Sequence, residues 1–352
     1  MSPADFCRRF GLERPLLQAP MAGVPSIDLA VAVGQAGGMP SLGALLLDAA
    51  AIADWVARLR ARSAAPLQVN LWVPDPAPVR DAAHEAALRA FLGRFGPPVA
   101  DAAGDAPLQD FHAQCQALLA AKPAAVSSIM GLFPPAFVQQ LKAAGIAWFA
   151  TATTVSEAQA AEQAGADVIV AQGAEAGGHR GAFDAAHARD RAVGLFALLP
   201  QVVDAVKLPV VATGGIADAR GIAAALLLGA SAVQIGTGYL RCPEAGIAPA
   251  WQQALGGTRP EHTRLTRAFS GRWGRAIETD YVRAAVAPEA PEPAPYPVQR
   301  GLTAAMRKAA EAAGNLHAMQ AWAGQAAALA SAEPAAALTR RLWAEAKALL
   351  GR

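Results

Sequence analysis

Charge is scarce in this chain. Of its 352 residues, 30 are Lys or Arg and 28 are Asp or Glu, 16% in all, giving a formal net charge of +2. With neither a basic face nor an acidic tail, the composition argues against nucleic acid and anionic membrane as partners and favours a small molecule. Cysteine is scarcer still. Cys7, Cys115 and Cys242 lie far apart, without the close pairings of zinc sites or redox motifs. They read as ordinary buried or partly buried thiols, and no metal is implied. The longest apolar run, Ile222 to Ile235, is too short to span a bilayer and is broken by Gly229. The N-terminal MSPADFCRRFGLERP has no apolar stretch behind a positive start, so no secretory signal is expected and the sequence reads as cytoplasmic and soluble.

What the chain does have is a repeat of short β-type runs, each stopped by Gly, Pro or a polar residue and followed by an alanine-rich amphipathic stretch. Eight can be marked: Leu16–Gln18, Met39–Leu42, Leu67–Leu71, Ala125–Ile129, Ala147–Thr151, Val168–Ala171, Val210–Ala212 and Ala232–Ile235. Eight βα units predict an α/β chain folded as a (β/α)8 TIM barrel. The competing doubly wound sheet would carry GxGxxG at its first strand-to-helix turn, where this chain has QAPMAGVPS. Two stretches depart from the repeat. One is an excursion at about 72–122, containing VPDPAPV and GPPVADAAGDAP; the other follows the eighth strand and contains APEAPEPAPYP. The expected division is a barrel over 1–242, a mostly helical capping and substrate segment over 243–310, and C-terminal helices over 311–352 packing on the barrel.

In a barrel the working face lies where the strands end, and a phosphate site commonly forms after the seventh and eighth strands. Here the seventh runs into ATGGIADARG and the eighth into QIGTGYL. Gly214, Gly215, Gly236 and Thr237 would offer bare backbone N–H groups to an anion. Either glycine loop alone fits a tight turn equally well; the pair together favours a phosphate, belonging to a phosphorylated substrate or to a flavin mononucleotide. Asn70 and Gln172, closing the third and sixth strands, both donate and accept hydrogen bonds, which suits the mixed polar edge of a flavin.

One histidine stands apart. His179 follows two glycines in GAEAGGHRG, where the backbone has few side chains of its own. It reads either as a loop histidine tied to a carboxylate such as Glu175, or as a site residue able to hydrogen-bond an anion or to act as a general base. Glu175 itself reads as a tie for the glycine loop. His84, His112, His187, His262 and His317 read as mostly solvated.

Taken together, QAPMAG, AGGMPSLGA, VNLWVP, QGAEAGGHRGAFD, ATGGIADARGIAAALLLGASAVQIGTGYL, AFSGRWGRAI and WAGQAAALA resemble the bacterial class I nitronate monooxygenases, formerly 2-nitropropane dioxygenases, over nearly the whole chain. The resemblance implies an FMN-bound barrel that oxidises alkyl nitronates of the propionate 3-nitronate type with O2, through a flavin semiquinone, to a carbonyl compound and nitrite. It implies that FMN touches Met21, Asn70, Gln172, Gly177, Gly215, Gln234, Ile235, Gly236 and Thr237, and that the active-site histidine is His179. By the same analogy Ser270 and Arg272 lie near the active site. Arg272 or Arg275 fits a substrate carboxylate or an ion pair equally well, and Tyr296 and Lys308 are further substrate candidates. The partners implied are a nitronate and O2, with a homodimer left open.

Two competing functions remain at this stage. One is an NAD(P)H-dependent flavin reductase of quinones or enoyl thioesters on the same barrel, whose EAGGH loop is similar. The other is a non-catalytic flavin-binding protein, against which an intact His179 argues. Val24 after PMAG, and Pro40 placed at the end of the second strand, depart from the family pattern and put the substrate size in question.

Overall fold

The computed structural model describes residues 1–351. Eight short strands, Leu16–Gln18, Ser41–Gly43, Gln68–Trp72, Ala125–Ile129, Ala147–Ala152, Val168–Gln172, Val210–Thr213 and Ala232–Ile235, pair in parallel. The first lies beside the eighth, with Leu17 opposite Gln234, and a bridge from Leu17 to Met39 closes the ring. The fold is a (β/α)8 barrel. Its strands are buried on both faces, which is why they read as continuous Val, Ile and Ala runs and not as alternating patterns. Between them, Ser26, Asp48, Asp110, Thr154 and Asp218 each accept a backbone N–H at the start of a helix, giving those helices defined first turns.

The second strand is shifted from its expected position. It begins at Ser41, not Met39, so Pro40 stands before the strand and not at its end. Proline has no N–H to give a ladder, and at the strand entrance only its carbonyl is needed, accepting from Gln68 N at 3.1 Å.

The N-terminal helix Pro3–Phe10 plugs the barrel floor. Phe6 and Phe10 reach Phe149, with ring centroids 6.3 and 5.1 Å away, amid Leu17, Met39, Val170 and Val211. The upper half of the barrel is therefore left for a ligand.

The excursion after the third strand holds the helix Ala82–Leu92, a short 3-10 turn Asp101–Asp105 and the helix Phe111–Ala121. The last of these packs on Ala49–Arg60 as an ordinary barrel helix, while the turn packs on the helix Val298–Leu302. Residues beyond the eighth strand form the cap. Strand Thr263–Thr266 pairs antiparallel with Gly274–Ile277, which pairs in turn with the two-residue strand Gly178–His179. The cap is thus hydrogen-bonded directly to the loop that carries the histidine. The chain then returns, and the helix Ala335–Leu349 lies against Ala219–Leu227 and Ile27–Gln35, the helices that follow the seventh and first strands. It occupies the place of the eighth barrel helix. No described helix is long and apolar enough to cross a membrane.

Candidate active site

A cleft of about 1240 Å³, open solvent at its mouth included, opens at the C-terminal ends of the strands. Met21, Asn70, Gln172, Gly177, His179, Gly215, Gln234, Gly236 and Thr237 all line it. Ile235 is buried in the core behind the cleft and is not among its lining residues.

The glycine loops after the seventh and eighth strands meet on one side of the cleft. Gly214 and Gly215 have φ of 108° and 71°, a conformation that side-chain-bearing residues rarely adopt. Among the described residues, the N–H groups of Gly214, Gly215, Gly236 and Thr237 donate to no group of the chain. Four unpaired donors thus gather on one wall, next to the helix that Asp218 caps. On the barrel axis Asn70 donates to Ser127 Oγ at 3.0 Å, and Gln68 donates to Ser127 Oγ at 2.9 Å while its buried Oε1 has no partner.

Gln172 does something the sequence did not suggest. Its amide donates to the His179 carbonyl at 3.1 Å and accepts from Gly181 N at 2.8 Å, so both ends of the side chain hold the histidine loop. Arg180, buried at 2% exposure, anchors the same loop through Gly173 O at 2.6 Å. The Glu175 carboxylate receives Leu195 N at 2.8 Å, at the start of the helix Leu195–Ala205, and the ring of His179 is bonded to Ser270 instead. Gly177 is pressed against the C-terminal segment: a Cβ there would lie 2.7 Å from the Ala323 carbonyl carbon and would collide with Gly324 N. The glycine pair therefore lets two backbones touch, as well as leaving the cleft bare.

His179 sits between two indoles, with ring centroids 4.7 Å from Trp72 and 4.8 Å from Trp322. Its Nε2 is 2.7 Å from Ser270 Oγ. Burial first, and then the guanidiniums of Arg272, Arg300 and Arg307, push its imidazole down to about 3. It is a neutral ring at ordinary pH, set in a positive field.

The cap candidates separate. Ser270 contacts the histidine. Arg272 is 4% exposed and paired in a bidentate manner with Asp75, Nε to Oδ2 at 2.6 Å, so its Nε and Nη2 are already engaged within the protein. Arg275 donates to Ala174 O and Thr263 Oγ1. Tyr296 packs on Trp72 with centroids 5.4 Å apart, and its buried hydroxyl has no partner. Lys308 is exposed and does not line the cleft. Its neighbour Arg307 turns inward instead, to Gln320 Oε1 at 2.8 Å, and burial pushes its guanidinium down to about 10. Of the remaining histidines, His112, His187, His262 and His317 are exposed, and His84 is partly buried with Nε2 2.7 Å from Glu292 O. Cys7 is partly buried and Cys115 and Cys242 are buried. The described residues hold no cluster of three or more His, Cys, Asp or Glu suited to a metal.

Trp72 and Trp322 were not singled out in the sequence, although both lie in quoted motifs, VNLWVP and WAGQAAALA. Tryptophan beside a strand-end asparagine and in a glycine-containing cap segment was the available signal.

The sequence profile of nitronate monooxygenase matches residues 7–345. The chain belongs to the nitronate monooxygenase family. It is 41% identical to a nitronate monooxygenase of Pseudomonas aeruginosa over 342 residues, covering 96% of this chain and 97% of that one. It is 40% identical to one of Paraburkholderia phytofirmans over 348 residues, covering 96% and 93%. Among solved structures, a nitroalkane oxidase from Streptomyces ansochromogenes superposes with a TM-score of 0.87 at 37% identity, covering 98% of this chain and 99% of that one. FabK from Thermotoga maritima superposes at 0.78 with 25% identity, covering 99% and 97%. As a member of this family the protein is an oxidoreductase acting on nitronates.

Proposed function

We propose that the chain oxidises alkyl nitronates of the propionate 3-nitronate type with O2, using FMN held in the strand-end cleft. The observation that carries this reading is the convergence on one cleft of four unpaired backbone N–H groups and an imidazole that stays neutral. The residues suit FMN. The amides of Gly214, Gly215, Gly236 and Thr237 would take its phosphate. Asn70, Gln234 and the unpartnered Gln68 Oε1 would face the polar edge of its ring, with Met21 and Gly177 as further walls. When bound, the flavin supplies the electron acceptor, and the protein supplies position and field.

His179 contributes orientation and a hydrogen bond. Its low basicity favours the anionic nitronate over the neutral nitroalkane as substrate, because a nitronate has no proton left to remove. Ser270 Oγ lies 2.7 Å from Nε2 and 3.3 Å from the Arg272 carbonyl, and one hydroxyl proton cannot serve both acceptors. Donation to Nε2 leaves the proton of the other ring nitrogen free for a nitronate oxygen. Arg272, Arg300 and Arg307 then stabilise the negative charge from a distance. In this reading the barrel over 1–242 binds the cofactor, the segment over 243–310 covers the substrate, and the helix Ala335–Leu349 completes the barrel wall.

The test is an anaerobic mixing experiment on the yellow holoenzyme, with propionate 3-nitronate and with NADH or NADPH separately. Bleaching of the flavin band by the nitronate alone is the expected result. Rapid bleaching by a nicotinamide with no response to nitronate would overturn the reading in favour of a reductase, the activity class that the similar loop keeps in competition.

A further inference from the structure

The segment 321–325 is bonded to three parts of the molecule that meet at the cleft. The strand Gly274–Ile277 pairs with Thr263–Thr266 along one edge; along the other it meets first Gly178–His179 and then this segment, with Ala276 opposite Trp322. Ile277 N donates to Ala321 O at 2.9 Å, and Ala323 N to Arg275 O at 3.2 Å. Gln325 N donates to Glu175 O, in the histidine loop, at 2.9 Å. The third attachment is to the glycine loop after the eighth strand, where Gly324 N donates to Thr237 Oγ1 at 3.0 Å. Trp322 is held between these points. Its carbonyl receives Trp251 Nε1 at 3.1 Å, its six-membered ring is pressed on Gly274, where a Cβ would lie 2.9 Å away, and its indole centroid lies 4.8 Å from that of His179.

Thr237 therefore belongs to two sets of contacts. Its backbone N–H is one of the four donors on the phosphate wall, and its side chain receives Gly324. Because Oγ1 is the acceptor in that bond, the hydroxyl proton is free, and among the described residues no acceptor takes it. Thr237, Trp322, Gly324 and His179 all line the cleft. A hydroxyl that donates to an anion becomes a stronger acceptor on its other side, since hydrogen bonds in a chain polarise one another. We propose that Thr237 is a positioning residue for His179: its hydroxyl donates to the phosphate seated on the glycine loops, tightens the Gly324 N–H bond, and so holds Trp322 against the imidazole. One phosphate then both retains the cofactor and completes the wall beside which the nitronate is oriented. The proposal rests on the phosphate reading of those loops given above.

The experiment compares the full-length enzyme loaded with FMN and with riboflavin, which has the same ring and no phosphate. The Trp322 resonance is followed by fluorine NMR in protein labelled with 5-fluorotryptophan, and is assigned by its loss in Trp322→Phe. With FMN a single narrow line is expected. With riboflavin the line should broaden or split, and millimolar inorganic phosphate should narrow it again, while the line of Trp55, buried on the helix Ala49–Arg60, stays unchanged. Thr237→Val, which keeps the shape and removes the hydroxyl, should show the broadened line even with FMN and no response to phosphate; Thr237→Ser should restore both. At saturating flavin, riboflavin and Thr237→Val should each lower kcat/KM for nitronate by about threefold to tenfold, the value of one neutral hydrogen bond. A Trp322 line that is the same with FMN, with riboflavin and in Thr237→Val overturns the proposal. So does a Thr237→Ser enzyme that behaves like Thr237→Val, which would make the residue a packing contact only. If Thr237→Val does not fold, the riboflavin and phosphate comparison on the unaltered chain decides. The expected Trp322 response without nitronate turnover removes the nitronate reading and leaves the coupling, whereas failure to bind FMN or phosphate removes the phosphate site and the coupling with it.

Discussion

His179 Nε2 and Ser270 Oγ lie 2.7 Å apart although 91 residues separate them in the chain. One comes from the loop after the sixth barrel strand and the other from the cap, so the imidazole is oriented by a segment the barrel itself does not contain. Ser270→Ala should leave the cofactor bound and lower kcat/KM for nitronate by roughly threefold to tenfold, the value of one neutral hydrogen bond. His179→Asn should cost more, about tenfold to a hundredfold, because it removes a bond to a charged substrate. Steady-state kinetics on the yellow proteins measures both, and unchanged rates in His179→Asn would remove the assigned role.

The pH behaviour follows from the depressed imidazole. With His179 at about 3, kcat/KM should show no imidazole limb near pH 6.5. Stability moves with a definite sign. Between about pH 6.5 and 3 the unfolded chain binds a proton at this position that the folded chain does not, so acidification destabilises the fold, and the contribution is fully present above the unfolded value. Urea unfolding at pH 7 and pH 5 should show a smaller loss in His179→Asn than in the unaltered protein.

Gly215 has a φ of 71°, and a Cβ there would lie 3.1 Å from the Glu175 Cβ. Gly215→Val should therefore displace the amides proposed to hold the phosphate. Dialysis followed by absorbance at the flavin band should show weakened retention, and a variant that stays fully yellow would count against this phosphate site.

Gly177 and Gly178 should fail for different reasons. At Gly177 a methyl group meets the backbone of Ala323 and Gly324, which has no rotamer to shift, and overpacking of this kind costs about 1–3 kcal/mol. At Gly178 there is open space but a φ of 72°, a backbone cost of about 1–2 kcal/mol. Thermal melts should show both alanine variants destabilised. Only Gly177→Ala should also lower activity strongly, since it pushes the Trp322 segment off the histidine loop.

The barrel was legible because parallel strands buried on both faces leave unbroken apolar runs, and because glycine at a strand end marks a turn open to a ligand. His179 and the loops at Gly215 and Gly236 were expected on this ground to face one cleft, and all of them line it. The second strand was displaced because apolar residues alone do not fix where a ladder begins: Met39 bridges the first strand, while the ladder to the third strand runs from Ser41. Contacts between distant segments left no local trace. The Asp75–Arg272 pair joins the excursion to the cap, and Trp72 and Trp322 meet around His179 from opposite parts of the chain. In the helix Ala304–Ala312, Arg307 and Lys308 differ by one position, about 100° of rotation, which is enough to turn one inward and the other to solvent.

The helix Ala335–Leu349 has a consequence for how the molecule is made. It fills the gap between the helices after the first and seventh strands, yet it follows the eighth strand by about a hundred residues of cap. During synthesis, which adds about 5–20 residues each second, the eight strands leave the ribosome well before the helix that seals their outer wall. For several seconds the nascent barrel has an open seam along Ala219–Leu227 and Ile27–Gln35, and the cap must be laid over the mouth before that seam can shut. A ribosome stalled within the cap would therefore hold a barrel with its apolar flank uncovered, a species for chaperones to shield.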